Sequence, residues 1–199
     1  MGEQLGPMYG RGARGLQDDF DTRRLADRLL DVTLHDELSD DDCKLVEAQS
    51  SFLLATVDEV GWPDVSYKGG DPGFVSVVDR TTLRFPCYDG NGMFRSLGNI
   101  ADNGRIAMLF VDTARPWRLR LHGTATVITD AATIERFHAA LAVVEVQVGR
   151  VFPNCGRYIH KVDGKISEFV PRPGYEPPVP GWKKLDMIRD YLPADQQDT

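Results

Sequence analysis

Cysteine is scarce in this chain of 199 residues, which contains only Cys43, Cys87 and Cys155. An odd number of widely spaced cysteines fits neither a disulfide framework nor a zinc ribbon. Positive charge is also in deficit: the chain has 23 Lys and Arg residues and 30 Asp and Glu residues, which gives a formal charge of -7. Binding to a phosphate backbone requires a surplus of cations. We therefore expect no nucleic-acid partner.

Long apolar segments are also missing from the sequence. No apolar run approaches the roughly 20 residues that a membrane-spanning helix needs. The first residues, MGEQLGPMYGRG, contain no hydrophobic core of a signal peptide. We expect a soluble, cytoplasmic protein with no membrane partner. A chain of this length forms one domain with a substantial core more readily than two.

Three segments of the chain differ in composition. Residues 1–17 carry five glycines among scattered charges, which predicts a flexible N-terminal arm. Residues 18–170 are expected to form the main domain. Residues 171–199 begin with PRPGYEPPVPGW, which is too rich in proline for the interior of a helix or sheet. This last segment is predicted to be a proline-rich tail followed by a C-terminal segment.

Helices are predicted on both sides of the chain's centre. Apolar residues at near-helical spacing predict one helix in 18–32, and Ser39 is the expected N-cap of a second helix with an acidic first turn. A third helix is expected at about 93–102 and a fourth at about 130–142. The first two would precede the main body of the domain.

The main body is predicted to be a set of β-strands. Its segments are rich in β-branched and aromatic residues and are separated by short turn-like sequences such as GGDP. This pattern is typical of antiparallel hairpins that close toward a small barrel. The fold class is therefore mainly β with flanking helices (α+β). The predicted strands are 51–58, 63–68, 73–79, 82–86, 105–112, 118–129 and 143–153.

The segment CYDGNGMFRSLGNIADNGR, residues 87–105, places flexible glycine residues just before a predicted helix. Gly90 and Gly92 permit a tight turn, Asn91 is a good N-cap, and the free N–H groups of a helix start attract anions. These residues alone leave two interpretations open. The segment is either a phosphate site or an ordinary strand-to-helix turn with a polar cap.

Several motifs, PDVSYKGGDPGFV, YDGNGMF, RLRLHGTATV and FPNC, resemble the pyridoxamine 5'-phosphate oxidase-like flavin-binding proteins. The resemblance covers roughly residues 18–165. It implies a split β-barrel that forms a homodimer, with flavin mononucleotide (FMN) in a groove between the two subunits. It also implies that the phosphate of FMN lies between the strand that ends at Lys68, the loop PCYDGNG and the start of the next helix.

The same resemblance implies a set of cofactor ligands. A cation near the pyrimidine end of the ring, from Arg118 or Arg120, would stabilise the anionic reduced flavin. Structural roles remain open for several of these residues: Lys68 as an exposed strand end, Arg95 in an ion pair, and Arg120 in a contact between subunits. The full set of expected ligands is Ser66, Lys68, Asn91, Arg95, Ser96, Asn99, Arg118 and Arg120.

Two further groups of residues contain side chains that are common in catalytic or metal sites. Cys155 and His160 lie five residues apart, which suggests a metal or a Cys–His nucleophile, but no third ligand or orienting acid is near them in the sequence. We therefore predict no metal site. His122 lies inside an apolar strand and is predicted to be a core or groove histidine.

Three functions remain open from the sequence, and no catalytic side chain is assigned. The preferred one is an FMN-dependent oxidoreductase that passes electrons from a reduced nicotinamide to a small organic acceptor. The alternatives are a deazaflavin-dependent reductase and a non-catalytic flavin carrier or sensor. The C-terminal segment GWKKLDMIRDYLPADQQDT contains no Arg-x-His sequence of the kind that the resemblance implies for pyridoxamine phosphate oxidation. That specific activity is therefore not expected.

Overall fold

One antiparallel sheet of seven strands forms the centre of the fold, in the order β2-β1-β5-β6-β7-β4-β3. The structure is a computed structural model and describes residues 5–112, 115, 117–158, 168 and 173–196. The strands are β1 (Ser51–Val57), β2 (Pro63–Gly69), β3 (Ser76–Asp79), β4 (Thr82–Cys87), β5 (Arg105–Asp112), β6 (Trp117–Ile128) and β7 (Ala142–Asn154).

The helices divide between two compact units of the chain. Residues 35–154 form the unit that contains the sheet, α3, α4 and α5. The other unit is drawn from residues 1–34 and 155–199, as far as these are described, and contains α1, α2 and α6. Within the described residues, no helix has both the length and the apolar character needed to cross a membrane. The helices are α1 (Arg11–Asp19), α2 (Arg23–Thr33), α3 (Asp40–Ala48), α4 (Arg95–Asn103), α5 (Ala131–Ile134) and α6 (Asp186–Arg189).

Most of the buried core lies on one face of the sheet, which we call the inner face. In β1 the side chains of Phe52, Leu54 and Thr56 are buried, whereas the residues between them are accessible. The ring of Phe52 is the centre of an aromatic group, with centroid distances of 5.0 Å to Phe85 and 5.3 Å to Phe110. Because side chains alternate along a strand, the residues between the buried ones lie on the opposite face, which we call the outer face.

The predicted fold class, mainly β with flanking helices, is confirmed. All seven predicted strands are present, and their ends differ from the predicted ones by at most three residues. Ser39 is the N-cap of α3 as predicted, in a capping box with Asp42. The β-branched and aromatic composition, with the turn-like separators, was therefore sufficient to locate the strands.

The helix predicted over about 130–142 is wrong for most of its length. Asp130 caps a short helix, α5, by accepting a hydrogen bond from the backbone N–H of Thr133 at 2.9 Å. The chain then turns through Ala139, which has a φ of 57°. Ala142 is already paired with Cys87 in the sheet. Strand pairing to β4 therefore overrides the helical propensity of this alanine-rich segment.

The expected arm also contains more structure than its composition predicted, because residues 11–17 lie in α1. Contacts with α2 stabilise this helix. Arg14 forms an ion pair with Asp27 at 2.6 Å, and the Tyr9 hydroxyl donates to the carbonyl of Ala26 at 3.1 Å. In the same unit, Leu25, Ile188 and Leu192 form a small buried cluster.

Gly123 lies at an irregular point of the β6–β7 pairing, where the register shifts between His122 and Gly123. A Cβ atom at Gly123 would lie 2.2 Å from the carbonyl oxygen of Gln147. That distance is far inside van der Waals contact, and the obstructing atom belongs to the backbone of β7. Only glycine fits this point of the sheet without movement of the neighbouring strand.

We expect Gly123→Ala to lower the free energy of unfolding by about 2 kcal/mol or more, because the added methyl group displaces the β7 backbone. Urea denaturation followed by circular dichroism measures this change. Gly98→Ala is the control: its Cβ meets nothing within 4 Å, so the change should stabilise α4 by about 0.5–1 kcal/mol. Equal stability of the Gly123→Ala variant and the parent would contradict the packing described for β6 and β7.

Candidate functional site

Three polar side chains meet where β2 passes the start of α4. The hydroxyl oxygens of Ser66 and Ser96 lie 3.0 Å apart, and Lys68 Nζ donates to Ser96 Oγ at 3.3 Å. Ser96 is buried, while Ser66 and Lys68 are half-buried. We call Ser66, Lys68 and Ser96 the Lys68 cluster. Two of its members come from a strand and one from a helix, so the fold brings together residues about 30 positions apart in the sequence.

Strand register explains why the two β2 residues point to the same place. Ser66 pairs with Leu54 and Lys68 pairs with Phe52, both of which lie on the inner face. Residues directly opposite each other in an antiparallel pair share a face. Ser66 and Lys68 therefore both lie on the inner face, on the side where α4 packs against β1 and β2.

A buried hydrogen bond holds α4 against the sheet. Asn99 Nδ2 donates to Thr56 Oγ1 at 2.9 Å, and the two residues are only 5% and 1% exposed. Asn103 Nδ2 adds a second bond, to the carbonyl of Val57 at 2.6 Å. These bonds fix the helix relative to β1 and thereby place Ser96 beside Lys68. Asn99 lies one turn from Ser96, but its amide is used for this internal contact.

Sequence reasoning assigned no role to Thr56, although a signal was present. Thr56 follows Phe52 and Leu54 at the same two-residue spacing, which puts a hydroxyl on the buried face of β1. A buried hydroxyl requires a hydrogen-bond partner. A polar residue at a core position of a predicted strand is therefore a signal that some other buried polar residue packs against it.

The start of α4 differs from the prediction. Asn91 was expected to be the N-cap, but the N-cap is Phe94, which has a left-handed conformation with a φ of 50° and makes no side-chain capping bond. Asn91 instead accepts a hydrogen bond from the backbone N–H of Met93 at 3.0 Å, within the loop. Its side chain thus shapes the turn that precedes the helix.

Arg95 is the first residue of α4 and is exposed. In the part of the chain that the structure describes, Arg95 forms no ion pair, although an ion pair was one of the structural roles open to it. The helix start therefore has an arginine and uncapped N–H groups within one turn of Ser96. All of these groups favour negative charge.

The electrostatics of the Lys68 cluster also favour an anion. Among the described residues, no carboxylate is hydrogen-bonded or ion-paired to any of its three members. Burial raises the pKa of the nearby Cys87 thiol, and the positive charge of Lys68 partly opposes that increase. The thiol therefore stays neutral at pH 7. One ammonium and two hydroxyls, with no acid among them, form a donor set that suits a phosphate monoester.

Arg118 and Arg120 do not lie near the Lys68 cluster. Both are on the outer face of β6, because the alternate residues Leu119 and Leu121 are buried on the inner face. Since β6 is three strands from β2 in the sheet order, about 14 Å of sheet width separates them from Lys68. The structure does not bring these arginines and the Lys68 cluster together within one chain.

Two aromatic contacts organise this part of the outer face. The guanidinium of Arg120 lies 5.9 Å from the ring centroid of Phe152, and the imidazole of His122 meets the same ring edge-on at 5.1 Å. Arg118 Nε is buried and has no hydrogen-bond partner among the described residues. An unpaired buried donor costs about 1–3 kcal/mol and more on a charged group.

Cys155 is exposed, and Arg157 Nε donates to its sulfur at 3.1 Å. His160, with which it was considered as a metal or nucleophile pair, lies outside the described residues. Across the described parts of the chain, no group of three or more His, Cys, Asp or Glu side chains is arranged to hold a metal ion.

Comparison with known proteins identifies one family. The family model described as pyridoxamine 5'-phosphate oxidase matches residues 40–155. The match spans α3 and all seven strands, and it includes every member of the Lys68 cluster. Among curated proteins, no sequence matches this chain.

Solved structures that are similar to this chain include three bacterial proteins. HupZ from Group A Streptococcus is 28% identical, with a TM-score of 0.47, over 58% of this chain and 94% of its own. An FMN-binding protein from Syntrophomonas wolfei is 10% identical, with a TM-score of 0.44, over 71% and 94%. The heme storage protein HutZ from Vibrio cholerae is 18% identical, with a TM-score of 0.41, over 56% and 92%.

The environment of His122 predicts a pH dependence of stability. Burial lowers the pKa of His122 below its ordinary 6.5, and the nearby Arg150 and Arg120 lower it further. The unfolded chain therefore binds this proton more tightly than the folded chain does. Stability due to neutral His122 is complete above about pH 6.5 and is lost as the pH falls from there toward the lower folded-state pKa.

The free energy of unfolding should accordingly decrease between about pH 7.5 and 5 more steeply in the parent than in His122→Gln. Urea unfolding of both proteins across this range measures the two slopes. All other titrating groups are common to both proteins, so their effects cancel in the difference. Identical slopes would show that the folded state does not disfavour protonation of His122.

Proposed function

This chain belongs to the pyridoxamine 5'-phosphate oxidase family, and from that premise we propose that it binds FMN and acts as an FMN-dependent oxidoreductase. The observation that carries the proposal is the Lys68 cluster beside the start of α4. It lies inside the matched region, and it is assembled by the strand register and by the Asn99–Thr56 bond.

The cluster suits the phosphate end of FMN. Lys68 supplies a positive charge. Its ammonium lies 3.3 Å from the Ser96 hydroxyl, which in turn lies 3.0 Å from the Ser66 hydroxyl. All three groups can therefore donate to one phosphate group. The start of α4 adds backbone N–H groups that no side chain caps. Arg95 and Asn91, on the exposed loop and first turn, border the same place.

The chemistry proposed for the site depends on position and electrostatics. When bound, FMN supplies the hydride relay between a reduced nicotinamide and a small organic acceptor. The residues of the Lys68 cluster anchor the cofactor, and none of them needs to transfer a proton during the reaction. Binding and orientation account for large rate effects in such sites without an acid or base from the protein.

A homodimer is part of the proposal. On the outer face, β2 and β1 expose Val65, Tyr67 and Leu53, which are 63%, 70% and 38% accessible. Ala107 and Leu109 of β5 continue this row across the sheet. We call these five residues the apolar strip. A continuous apolar surface on three strands is typical of a contact surface, and a second copy of the same strip is the occupant we propose.

The assignment of Arg118 and Arg120 to the cofactor stays a prediction. Because these arginines lie on the opposite face of the sheet from Lys68, a single chain does not present both to one FMN molecule. The proposed phosphate site therefore depends on Ser66, Lys68 and Ser96 and not on β6.

We expect the purified protein to show flavin absorption and to release a cofactor with the mass of FMN. Lys68→Ala should weaken FMN binding about 10- to 100-fold, since it removes one charge-assisted contact worth about 1.5–3 kcal/mol. Fluorescence titration of the cofactor-free protein measures the dissociation constant. Lys68→Arg should retain most of the affinity because it keeps the charge.

Lys44→Ala is the matched control for the loss of one positive charge. Lys44 is exposed on α3 and pairs with Asp41, so its removal should leave FMN affinity unchanged. An unchanged affinity in Lys68→Ala would disprove the phosphate assignment. A deazaflavin mass or a heme absorption spectrum, in place of the flavin signature, would overturn the choice of cofactor.

The dimer is tested by charge placed within the apolar strip. The parent should be a dimer by light scattering, and Leu53→Glu should shift it to a monomer, because a carboxylate would be desolvated at the centre of the contact. Val60→Glu is the control, since Val60 is 75% exposed in the β1–β2 turn outside the strip. Tyr67→Glu, at the edge strand, repeats the test at a site less demanding for folding. A monomeric parent would refute this contact.

A further inference from the structure

Phe94 has a backbone conformation that an aromatic residue rarely adopts. Its φ of 50° and ψ of 24° lie in the left-handed region, where the Cβ atom of an L-residue comes too close to the following carbonyl oxygen. Glycine avoids this strain, and the same loop has glycine at Gly92, where φ is 72°. The side chain of Phe94 is 56% exposed, so burial of its ring offsets little of the strain.

The conformation of Phe94 determines the direction of three successive backbone N–H groups. Phe94 is left-handed, and Arg95 begins the right-handed helix α4. Where two adjacent residues have opposite handedness, their N–H groups and the N–H of the next residue turn toward a common point and form a concave anion site, called a nest. Phe94, Arg95 and Ser96 have this arrangement.

These three N–H groups have no hydrogen-bond partner in the part of the chain that the structure describes. The first helical bond of α4 is donated by the N–H of Gly98 to the carbonyl of Phe94, at 2.8 Å. Ser96 is only 7% exposed, so water has little access to it. Buried backbone donors are paired in nearly all folded proteins. The N–H of Ser96 therefore calls for an acceptor from a ligand.

The Lys68 cluster is an independent indication that this ligand is an anion. The hydroxyl of Ser96 accepts from Lys68 Nζ at 3.3 Å, so Ser96 belongs both to the cluster and to the nest. The two sets of donors adjoin at this residue. One set consists of side chains and carries the charge, and the other consists of backbone groups whose direction is set by Phe94.

We infer that Phe94 is a positioning residue for phosphate, because its left-handed backbone holds the N–H groups of Phe94, Arg95 and Ser96 as a nest beside the Lys68 cluster. The assignment of that phosphate to FMN rests on the proposed function. Since the contribution comes from the main chain, it depends on how well residue 94 tolerates a positive φ. The aromatic ring is not required for it.

Phe94→Asn and Phe94→Ile separate the backbone from the side chain. Asn tolerates the left-handed region but is polar, whereas Ile is apolar, β-branched and strained there. We expect Phe94→Asn to bind FMN and inorganic phosphate as the parent does, and Phe94→Ile to bind both about tenfold more weakly. Isothermal titration of the cofactor-free, full-length proteins measures both affinities. Riboflavin, which lacks the phosphate, should bind all three proteins equally.

Ala139→Asn and Ala139→Ile are the matched controls. Ala139 has a φ of 57° and lies in the turn before β7, outside the Lys68 cluster. Ala139→Ile should lower the urea midpoint of unfolding, as Phe94→Ile does, because both place a β-branched residue at a positive φ. Neither change at Ala139 should alter the affinity for FMN or phosphate. The comparison separates loss of the nest from general destabilisation.

The two ligands distinguish this inference from the proposed function. If the parent binds phosphate but not FMN, and Phe94→Ile weakens phosphate binding, the nest is supported and the cofactor assignment is wrong. If the parent binds FMN, and Phe94→Asn loses as much affinity as Phe94→Ile or neither loses any, the nest is wrong and the cofactor assignment stands. A parent that binds neither ligand would overturn both.

Two further results bear on the nest alone. An equal loss of riboflavin and FMN affinity in Phe94→Ile would overturn it, because the effect would not depend on the phosphate. If Phe94→Ile does not fold, Phe94→Asn is decisive by itself. Retained phosphate affinity there supports a backbone role, and a tenfold loss assigns the role to the ring and overturns the inference.

Discussion

The alternation of side chains along each β-strand is the constraint on which the Lys68 cluster and its separation from the β6 arginines depend. In an antiparallel sheet, successive residues of a strand lie on opposite faces, and two residues that pair directly across neighbouring strands lie on the same face. Lys68 is opposite Phe52 and so joins the inner face. Arg120 is opposite Leu109 and so joins the outer face. A shift of one residue in the register of either strand would move its cations to the other face of the sheet and away from their present neighbours.

The second requirement is a fixed helix, and the Asn99–Thr56 hydrogen bond supplies it. Both partners are buried, so breaking the bond would leave two polar groups with neither each other nor water as a hydrogen-bond partner. The loss of this bond is therefore expected to lower the stability of the fold. Ser96 lies on α4 one turn before Asn99, so the Asn99–Thr56 bond also positions Ser96. A structural hydrogen bond thus determines the geometry of the Lys68 cluster although neither partner belongs to it.

The sequence predicted the strands well because β-branched and aromatic composition reports directly on burial in a sheet. It did not predict features that depend on distant partners. The helix over 130–142 is mostly absent because Ala142 pairs with Cys87, and α1 is present because Arg14 pairs with Asp27. In the site, Lys68, Ser66 and Ser96 were named together from the resemblance, and the structure brings them within hydrogen-bonding distance. Asn91 was expected to cap α4, whereas loop geometry gave that position to Phe94.

The positions of the Lys68 cluster and of the β6 arginines relate the proposed dimer to the proposed chemistry. A row of paired residues crosses the outer face from Tyr67 through Leu53 and Leu109 to Arg120. In a two-fold contact, residue i of one copy meets residue j of the other, and j meets i. If the two-fold axis runs parallel to the strands through the apolar strip, the Tyr67 end of one copy meets the Arg120 end of the second copy. Tyr67 and Lys68 are neighbours on β2 but lie on opposite faces, so this symmetry would bring the cations of one copy's outer face against the edge strand that carries the other copy's phosphate site on its inner face.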